Sequence, residues 1–456
     1  MVHKKKNRAL ELGKDLLIIL LVLSAGYLTL RTQMAAGLSA EQGGWIGGVI
    51  DFMAGGPGNS TPAELPDQKL PVEVRPLRMA VNVKEVGRYG VQYDSAGTDK
   101  LFGDVFSLLG EALGSAKAPV TVTERTWRTA LTEQSGIYFD FQGQVPMGAL
   151  YAWLEAGPDA ALAEVTVRRI LLAEDGDGRV TLYYADETDH SYYACATGET
   201  ASGHLQSAIG GYSPNGAAFA YERRDEAGFA ALDPYVMLVQ RTPGTAEKTR
   251  LRYRTFCPVA QMEKGRGALL EALDFHPQSS SSYVAWGQLV VKEGTDTLTV
   301  GDNGVTTYSG SAAEQARYPV GDGENPPTAA EIMEVTQRIA EKTLGVWCGD
   351  ARLYLIGVGQ TEPGVWQADY GYQLGGVTVQ LGSEGYAARF VIKENRVSEF
   401  TLNFRGYTAT EEKTAVLPET QAAAAVEALG GSGRELLLTY EDSGTAETVE
   451  CGWIAQ

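Results

Sequence analysis

An uncharged apolar segment near the amino terminus constrains this chain more than any other feature. Residues 16–30 carry no charge and follow a basic start with four lysines and arginines between Lys4 and Arg8. Fifteen residues of helix cover roughly 22 Å, which is short of the roughly 30 Å hydrocarbon core of a bilayer. Lys14 and Arg31 flank the run and can extend its reach by snorkelling to the head groups. The segment therefore predicts either a membrane anchor or the apolar region of a cleavable signal peptide.

The residue that follows the apolar run favours the anchor. Arg31 places a charge where a signal peptidase site is usually approached through small neutral residues. We therefore predict a retained transmembrane helix over residues 15–34. The positive-inside rule then places the tail, residues 1–14, in the cytoplasm and the body after about residue 35 outside the cell membrane.

Charge is distributed unevenly along the 456 residues, whose formal net charge is −19. Residues 1–31 carry six lysines and arginines against two acids, a local charge of +4, so the remainder carries −23. A body this acidic should repel nucleic acid and anionic lipid head groups. The sequence thus predicts no nucleic-acid partner, and contact with the membrane through one helix only.

The stretch after the anchor predicts a spacer over residues 35–77. Its first part, residues 43–56, is apolar but too short and too rich in glycine to span a bilayer. Five prolines then follow between Pro57 and Pro76, a composition typical of an extended linker. The spacer should hold the folded body away from the bilayer.

Beyond the spacer, strand and helix patterns predict an α+β, multi-domain extracytoplasmic body of antiparallel sheets with packed helices. The first domain, residues 78–203, combines amphipathic helices with strands joined by an Asp-Gly turn. The second, residues 204–315, is mostly strands with one helix. A linker at residues 316–327 precedes the third domain, residues 328–456. Three domains agree with the length of the chain.

The third domain begins at a well-specified helix start. Thr328 and Glu331 have the spacing of a capping box, and Gly345 provides a stop signal. Two aromatic segments, "GIYFDFQGQVPMGAL" at residues 136–150 and "ADYGYQLGGVTVQL" at residues 368–381, follow the helices that open the first and third domains. Their shared alternation predicts two sheet-building units with Phe139 and Tyr370 in the core or an interface.

Four cysteines, Cys195, Cys257, Cys348 and Cys451, lie too far apart for a local zinc site. Two alternatives remain open for them. In an oxidising compartment the pairs Cys195–Cys257 and Cys348–Cys451 would each close a loop as disulfides. The other interpretation is that they are buried free thiols.

Residues suited to catalysis are sparse. The chain has four histidines and lacks the HExxH, GxSxG and Walker patterns. His190 lies in a polar stretch that favours a loop between strands, and "AEDGDGRV" favours a hairpin turn over a calcium loop. Asp140 and Asp369 are candidates for a glycosidase-like carboxylate pair, but each alternates with aromatic residues as an outward-facing residue on a half-buried strand would. We predict neither a catalytic centre nor a cofactor or metal.

Several stretches resemble a known family. They are "ALLEALDFHP", "VVKEGTDTLTVGDNGVTTYSG", "DYGYQLGGVTVQL" with "FVIKENRVSEFTLNFRGY", and "LPETQAAAAVEAL" with the ending "CGWIAQ". Together with the basic start and the single anchor, they resemble the YycH and YycI regulatory proteins of Gram-positive bacteria, which accompany the WalK/WalR (YycG/YycF) two-component system. The high glycine and alanine content and the long spacer depart from that pattern.

The resemblance implies a membrane-anchored regulator without enzymatic activity. Such a protein would contact a sensor histidine kinase through its anchor helix, together with a second anchored regulator of the same family, and adjust signalling linked to cell-wall metabolism. Ser24, Ala25 and Gly26 are small residues that would allow close helix packing in the membrane. An ordinary lipid-facing helix is the alternative for these three residues.

Two other functions compete with this one. An anchored enzyme acting on wall glycan would need convergent carboxylates such as Asp140 and Asp369. An anchored ligand-binding module of the cell envelope would use exposed aromatic residues such as Tyr370 and Tyr372.

Overall fold

The structure, a computed structural model, describes residues 74–157, 160–175, 177–186, 190–198, 201–226, 228–239, 249–257, 266–276, 279–310, 316–430 and 432–456. The predicted tail, anchor and most of the spacer lie outside these residues. No helix in the described part is long and apolar enough to cross a membrane.

The first large sheet contains seven antiparallel strands. They are β1 (Arg78–Val83), β2 (Gly87–Gln92), β3 (Val120–Val122), β4 (Gly136–Pro146), β5 (Thr166–Glu174), β6 (Val180–Asp186) and β7 (Ser191–Ala196). In space their order is β2, β1, β4, β5, β6, β7, β3. The central strand β4 therefore lies between strands from distant parts of the sequence.

Helices cover both faces of this sheet. Helix α1 (Ser95–Gly114) packs on the face that contains Phe139, and α2 (Glu124–Glu133) packs on the opposite face around Tyr138. Asp94 caps α1, since its carboxylate accepts a hydrogen bond from the backbone N–H of Gly97 at 3.1 Å. Because both faces of the sheet are covered, successive residues of β4 are buried. The alternation of aromatic and other side chains along β4 is therefore an alternation between two packed faces, not between core and water.

The second large sheet is built mainly from the carboxyl-terminal half. Its strands are β11 (Ser281–Ala285), β12 (Gln288–Glu293), β13 (Asp296–Val300), β14 (Val305–Ser309), β15 (Arg352–Glu362), β16 (Val365–Leu374), β17 (Val377–Leu381), β18 (Ala388–Lys393), β19 (Arg396–Asn403), β21 (Leu436–Asp442) and β23 (Cys451–Ala455). The spatial order runs β11, β12, β13, β14, β19, β18, β16, β15, and a branch of β17, β21 and β23 leaves from the end of β16.

Smaller elements complete the body. They are α3 (Met147–Trp153), α4 (Ala160–Ala163), α5 (Ala201–Ile209), β8 (Ala217–Phe219), β9 (Met237–Val239), β10 (Thr249–Phe256), α6 (Arg266–Ala272), α7 (Ala329–Ala340), β20 (Gly406–Ala415), α8 (Glu419–Ala428) and β22 (Thr448–Val449). Strands β20, β10 and β22 form a three-stranded sheet, and β8 pairs with β9. The α+β class with large antiparallel sheets and packed helices is thus confirmed.

Helix α7 begins where its sequence predicts. Thr328 Oγ1 accepts from the backbone N–H of Glu331 at 3.3 Å, and the Glu331 carboxylate accepts from the backbone N–H of Thr328 at 2.8 Å. This is the predicted capping box. The regular helix ends at Ala340 and continues to Gly345 as a π-helical turn. Such turns are rare and often occur at functional positions.

Strand pairs connect the predicted domains. Strand β10 pairs with β20, β14 pairs with β19, and β4 pairs in parallel with β15 at Gln144 and Gly357. Residues Leu70–Gln456 form one compact unit. The division at residues 78–203, 204–315 and 328–456, with the linker 316–327, stays a prediction that limited proteolysis would test.

The two aromatic segments adopt different structures. The first forms β4 and runs directly into α3, whereas the second forms the hairpin of β16 and β17 around Gly375 and Gly376. Phe139 and Tyr370 are both buried in the core, as predicted. Gly376 has φ of +88°, and a Cβ atom there would lie 2.6 Å from the backbone nitrogen of Asp94. The hairpin therefore fits tightly against the start of α1.

Candidate functional site

A cavity lies beside the first described residues of the chain. It measures about 380 Å³ and is bounded by residues 74–77, the start of α1, helix α7 with its π-helical turn, β15 and β16. We call residues 74–77, the last four residues of the predicted spacer, the leading segment, because they run directly into β1. A volume of this size is within the range of small-molecule sites.

The leading segment is fixed to the body. Val74 and Leu77 are each only 4% exposed, and the backbone N–H of Leu77 donates to the carbonyl oxygen of Asp140 at 2.9 Å. Phe141 and Val145 of β4 continue the apolar wall of the cavity beside this segment. Two of the four side chains of the leading segment, Val74 and Leu77, are thus packed into the folded body.

Tyr370 and Tyr372 do not form the exposed aromatic surface that the alternative of a ligand-binding module would need. Tyr370 lies in the cavity floor but its hydroxyl shares a hydrogen bond with Thr336 Oγ1 at 2.9 Å. Tyr372 donates to the carbonyl oxygen of Asn403 at 2.9 Å. Both are almost fully buried, and burial raises the pKa of each phenol. Both are core residues: Tyr370 joins β16 to α7, and Tyr372 joins β16 to the end of β19.

Three charged side chains form one side of the cavity rim. Asp99 of α1 pairs with Arg75 of the leading segment at 3.4 Å and with Arg352 of β15 at 2.6 Å. The two arginine side chains are 41% and 55% exposed, so each pair contributes little to stability. The two ion pairs fix positions instead. Through them the Asp99 carboxylate connects the leading segment to the second sheet at the rim of the cavity.

A buried charge cluster lies next to the leading segment. It consists of Arg78, Asp140, Arg168 and Glu435. Arg168 Nε donates to Asp140 Oδ1 at 3.1 Å, and Arg78 Nη1 donates to Glu435 Oε1 at 3.0 Å. Arg168 also pairs with Glu435. Because Glu435 directly precedes β21, the cluster joins the first sheet to the carboxyl-terminal strands.

Asp140 is therefore not the outward-facing residue that its alternation predicted. It is 1% exposed. Burial alone would raise the pKa of its carboxyl group, but the charges of Arg168 and Arg78 outweigh burial and lower that pKa to about 2. A carboxylate held this firmly in its ionised form is suited to structural pairing and not to proton transfer at neutral pH.

Asp369, the other proposed carboxylate, has a separate partner. The guanidinium group of Arg389 in β18 donates two hydrogen bonds, of 2.9 and 2.8 Å, to the Asp369 carboxylate. Asp140 lies in the first sheet and Asp369 in the second, and each is neutralised by arginines of its own sheet. The structure does not assemble them into a catalytic pair.

Other candidate sites have ordinary structural roles. His190 lies in a turn directly before β7. The Asp175 carboxylate accepts from the backbone N–H groups of Asp177 and Arg179, which closes the predicted hairpin turn. No group of metal-binding side chains occurs within the described ranges. Ser24, Ala25 and Gly26 lie outside those ranges, so their role in helix packing stays a prediction.

The four cysteines are free thiols in the structure, in agreement with the second of the two alternatives. Cys195 is buried beneath α1, and Cys348 donates to the carbonyl oxygens of Gly345 and Ala351. Burial raises the pKa of Cys348 to about 11 and that of Cys451 to about 12. Only Cys257 is partly exposed.

We expect one thiol to react in the native protein. A chromogenic disulfide reagent at pH 8 should titrate Cys257 first, because thiolate formation is suppressed and access is blocked at the three buried sites. The Cys257→Ser variant should show almost no reaction until denaturant is added, when three thiols should appear. Fewer than four thiols in the unreduced, unfolded wild-type protein would instead show that a disulfide forms.

Both the sequence and the fold of this chain can be compared with those of known proteins. No family model matches the sequence, and no curated protein matches it in sequence. The fold of this chain is YycH-like. It is an α+β body with packed helices, and a strand pairing between β4 and β15 connects its two large antiparallel sheets. The solved structure that shows the likeness is YycH from Bacillus subtilis, with a TM-score of 0.53 at 11% sequence identity. The match covers 85% of this chain and 95% of that one.

Proposed function

We propose that this protein is a membrane-anchored extracytoplasmic regulator of a sensor histidine kinase. It acts by protein contact in signalling linked to cell-wall metabolism, and it has no catalytic role of its own. The observation that carries the proposal is the YycH-like fold over 85% of the chain. The basic start and the uncharged residues 16–30 support the single-pass topology with a cytoplasmic amino terminus.

An exposed hairpin supports a role in protein contact. Within the part of the chain that the structure describes, β11 is an edge strand that pairs only with β12, and Trp286 at the turn between them is fully exposed. Tyr283 and Val284 are also exposed on the same strand. Exposed aromatic side chains on an uncharged strand edge are typical of surfaces that bind another chain. We assign this edge to the extracytoplasmic contact with the kinase or with a second anchored regulator.

Crosslinking in intact membranes tests the proposal. The full-length protein should co-purify with a sensor kinase after crosslinking, whereas a Trp286→Ser variant should recover less of any partner bound through the hairpin. A matched variant, Val346→Ser, removes another exposed apolar side chain remote in sequence and should leave recovery unchanged. Recovery of wall polymer or its fragments without a kinase would favour the anchored enzyme or ligand-binding module.

Replacement of the anchor distinguishes a kinase contact through the membrane helix from a kinase contact through the extracytoplasmic body. A chain in which residues 16–30 are exchanged for an unrelated transmembrane helix should keep its membrane location and lose its effect on kinase output, because the contact through Ser24, Ala25 and Gly26 would be gone. The measurement is a transcriptional reporter driven by the response regulator. Unchanged output would place the contact in the outer body.

A further inference from the structure

The free edge of the second large sheet lacks the features that usually keep a sheet edge unpaired. Strand β11 contains neither lysine nor proline, and its register with β12 runs from Ser281 to Ala285 without a bulge. No charged residue occurs between positions 277 and 291. Charges, prolines and bulges protect edge strands, because an unprotected edge readily pairs with another strand. Among the described residues, the outer side of β11 is therefore open to a further strand.

The hairpin turn determines which backbone groups of β11 point outward. Trp286 and Gly287 have φ of +55° and +77°, as in a two-residue type I′ turn. The pair that flanks such a turn, here Ala285 with its partner in β12, is hydrogen-bonded, and hydrogen-bonded pairs alternate along the ladder. Ser282 and Val284 occupy the other positions. Their N–H and C=O groups therefore point away from β12, toward the free edge.

The packed face of this sheet continues to the same edge. Val291 of β12 and Leu298 of β13 are fully buried on that face, and the register places Leu289 and Val284 in the neighbouring row. Val284, at the end of the row, is 69% exposed. A further strand would cover this side chain and extend the apolar face of the sheet.

We propose that β11 pairs antiparallel with β11 of a second copy of this chain, about a two-fold axis at Tyr283. In this register Ser282 of each copy lies opposite Val284 of the other, so the outward backbone groups of the two strands meet. The two Tyr283 side chains form a non-hydrogen-bonded pair, in which cross-strand side chains approach most closely. Trp286 of each copy lies opposite Ser280 of the other, which gives the exposed indole a surface to contact.

Charge favours a second copy as the occupant of this edge. The body is strongly acidic, so two copies repel one another over most of their surface and can approach through a surface without charge. A strand pair of five residues is short, and anchoring both copies in one membrane raises their effective concentration. We therefore expect the pair to form in membranes more readily than in dilute solution.

This hairpin is the one that we assigned to protein contact, and in naming its partner we rely on the proposed function. The strand pair itself can be measured in vesicles that contain no kinase. Failure of the pairing and failure of kinase regulation are therefore distinguishable.

The test is oxidative crosslinking of full-length protein that carries Cys257→Ser and Tyr283→Cys, in lipid vesicles without a kinase. The Cα atoms of a non-hydrogen-bonded pair lie about 4.5 Å apart, a distance that a disulfide can bridge. On a non-reducing gel the disulfide dimer should be about five-fold or more as abundant as with Val86→Cys, whose exposed position on another turn reports random collisions. Val284→Cys should also crosslink poorly, since the two copies of this residue would lie about 7 to 8 Å apart.

The Val284→Lys variant provides the second arm. Added to the Tyr283→Cys protein, it should reduce the dimer to the collision level, because a lysine would then lie on the paired edge. Its midpoint of urea unfolding should not change, since Val284 is largely exposed, and Val86→Lys is the matched control that should leave the dimer intact. A dimer no more abundant than with Val86→Cys, or one that Val284→Lys leaves intact, would overturn the proposal. Crosslinking that appears only after a kinase is added would assign the edge to the kinase instead.

Discussion

Replacing Asp140 by asparagine should lower the free energy of unfolding by about 3 to 5 kcal/mol. The substitution keeps the shape of the side chain but removes a buried negative charge, which leaves Arg78 and Arg168 with Glu435 alone. Removing one partner of a buried ion pair lowers stability by this amount because the other partner stays buried as an uncompensated charge. Urea unfolding followed by tryptophan fluorescence gives the value.

Asp369→Asn is the matched control for that prediction. It removes a carboxylate from another Asp–Arg pair, but Arg389 is 31% exposed and water can solvate it after the change. We expect a loss of about 1 kcal/mol. Equal losses for the two variants would show that the cluster around Asp140 is not the junction between the sheets that the structure describes.

The same cluster predicts an acid-sensitive contribution to stability. The pKa of Asp140 is about 2 in the folded protein, below the value of about 3.9 in an unfolded chain. A depressed pKa stabilises the folded state above pH 4, and that stabilisation is lost as the pH falls from about 4 towards 2. Across this window the difference in stability between wild type and Asp140→Asn should shrink.

The second large effect should come from Gly143→Val. Gly143 lies in β4 beside the parallel pairing of Gln144 with Gly357 of β15, and a Cβ atom there would overlap the carbonyl oxygen of Leu355. Backbone atoms cannot yield as a flexible side chain can, so the strands must separate. We expect a loss of about 3 kcal/mol or more, measured by urea unfolding.

Gly359→Val is the corresponding control on the other strand of that contact. Gly359 belongs to β15, and nothing lies within 4 Å of the position its Cβ would occupy. The change should alter stability by less than about 1 kcal/mol. A mild effect of Gly143→Val, similar to that of the control, would contradict the close contact of β4 and β15.

Local signals in the sequence predict local structure well. The capping box of Thr328 and Glu331 predicts the start of α7, and the turn at Asp175 predicts the hairpin of β5 and β6, because the atoms involved are at most a few residues apart. Pairings such as β10 with β20 join strands about 150 residues apart in sequence, and no short pattern specifies them. The connections between the sheets were therefore beyond prediction from one sequence.

Asp140 shows why part of the candidate site could not be predicted. Its alternation with aromatic residues indicates a face of a strand, and we interpreted that face as solvated. The sheet is covered on both faces, and the arginine partners of Asp140 come from β1 and β5. The cavity could not be predicted for a related reason. The leading segment that forms part of its wall lies far in sequence from α7 and β16, which form other parts.

The proposed regulation of a sensor kinase by contact can be measured in a reconstituted system. Its most direct test is the autophosphorylation rate of a WalK-type kinase in lipid vesicles, measured with and without the full-length protein at equal density. The proposed function predicts a change of several-fold with the wild-type chain and a much smaller change with the exchanged anchor. An unchanged rate at every ratio of protein to kinase would contradict it.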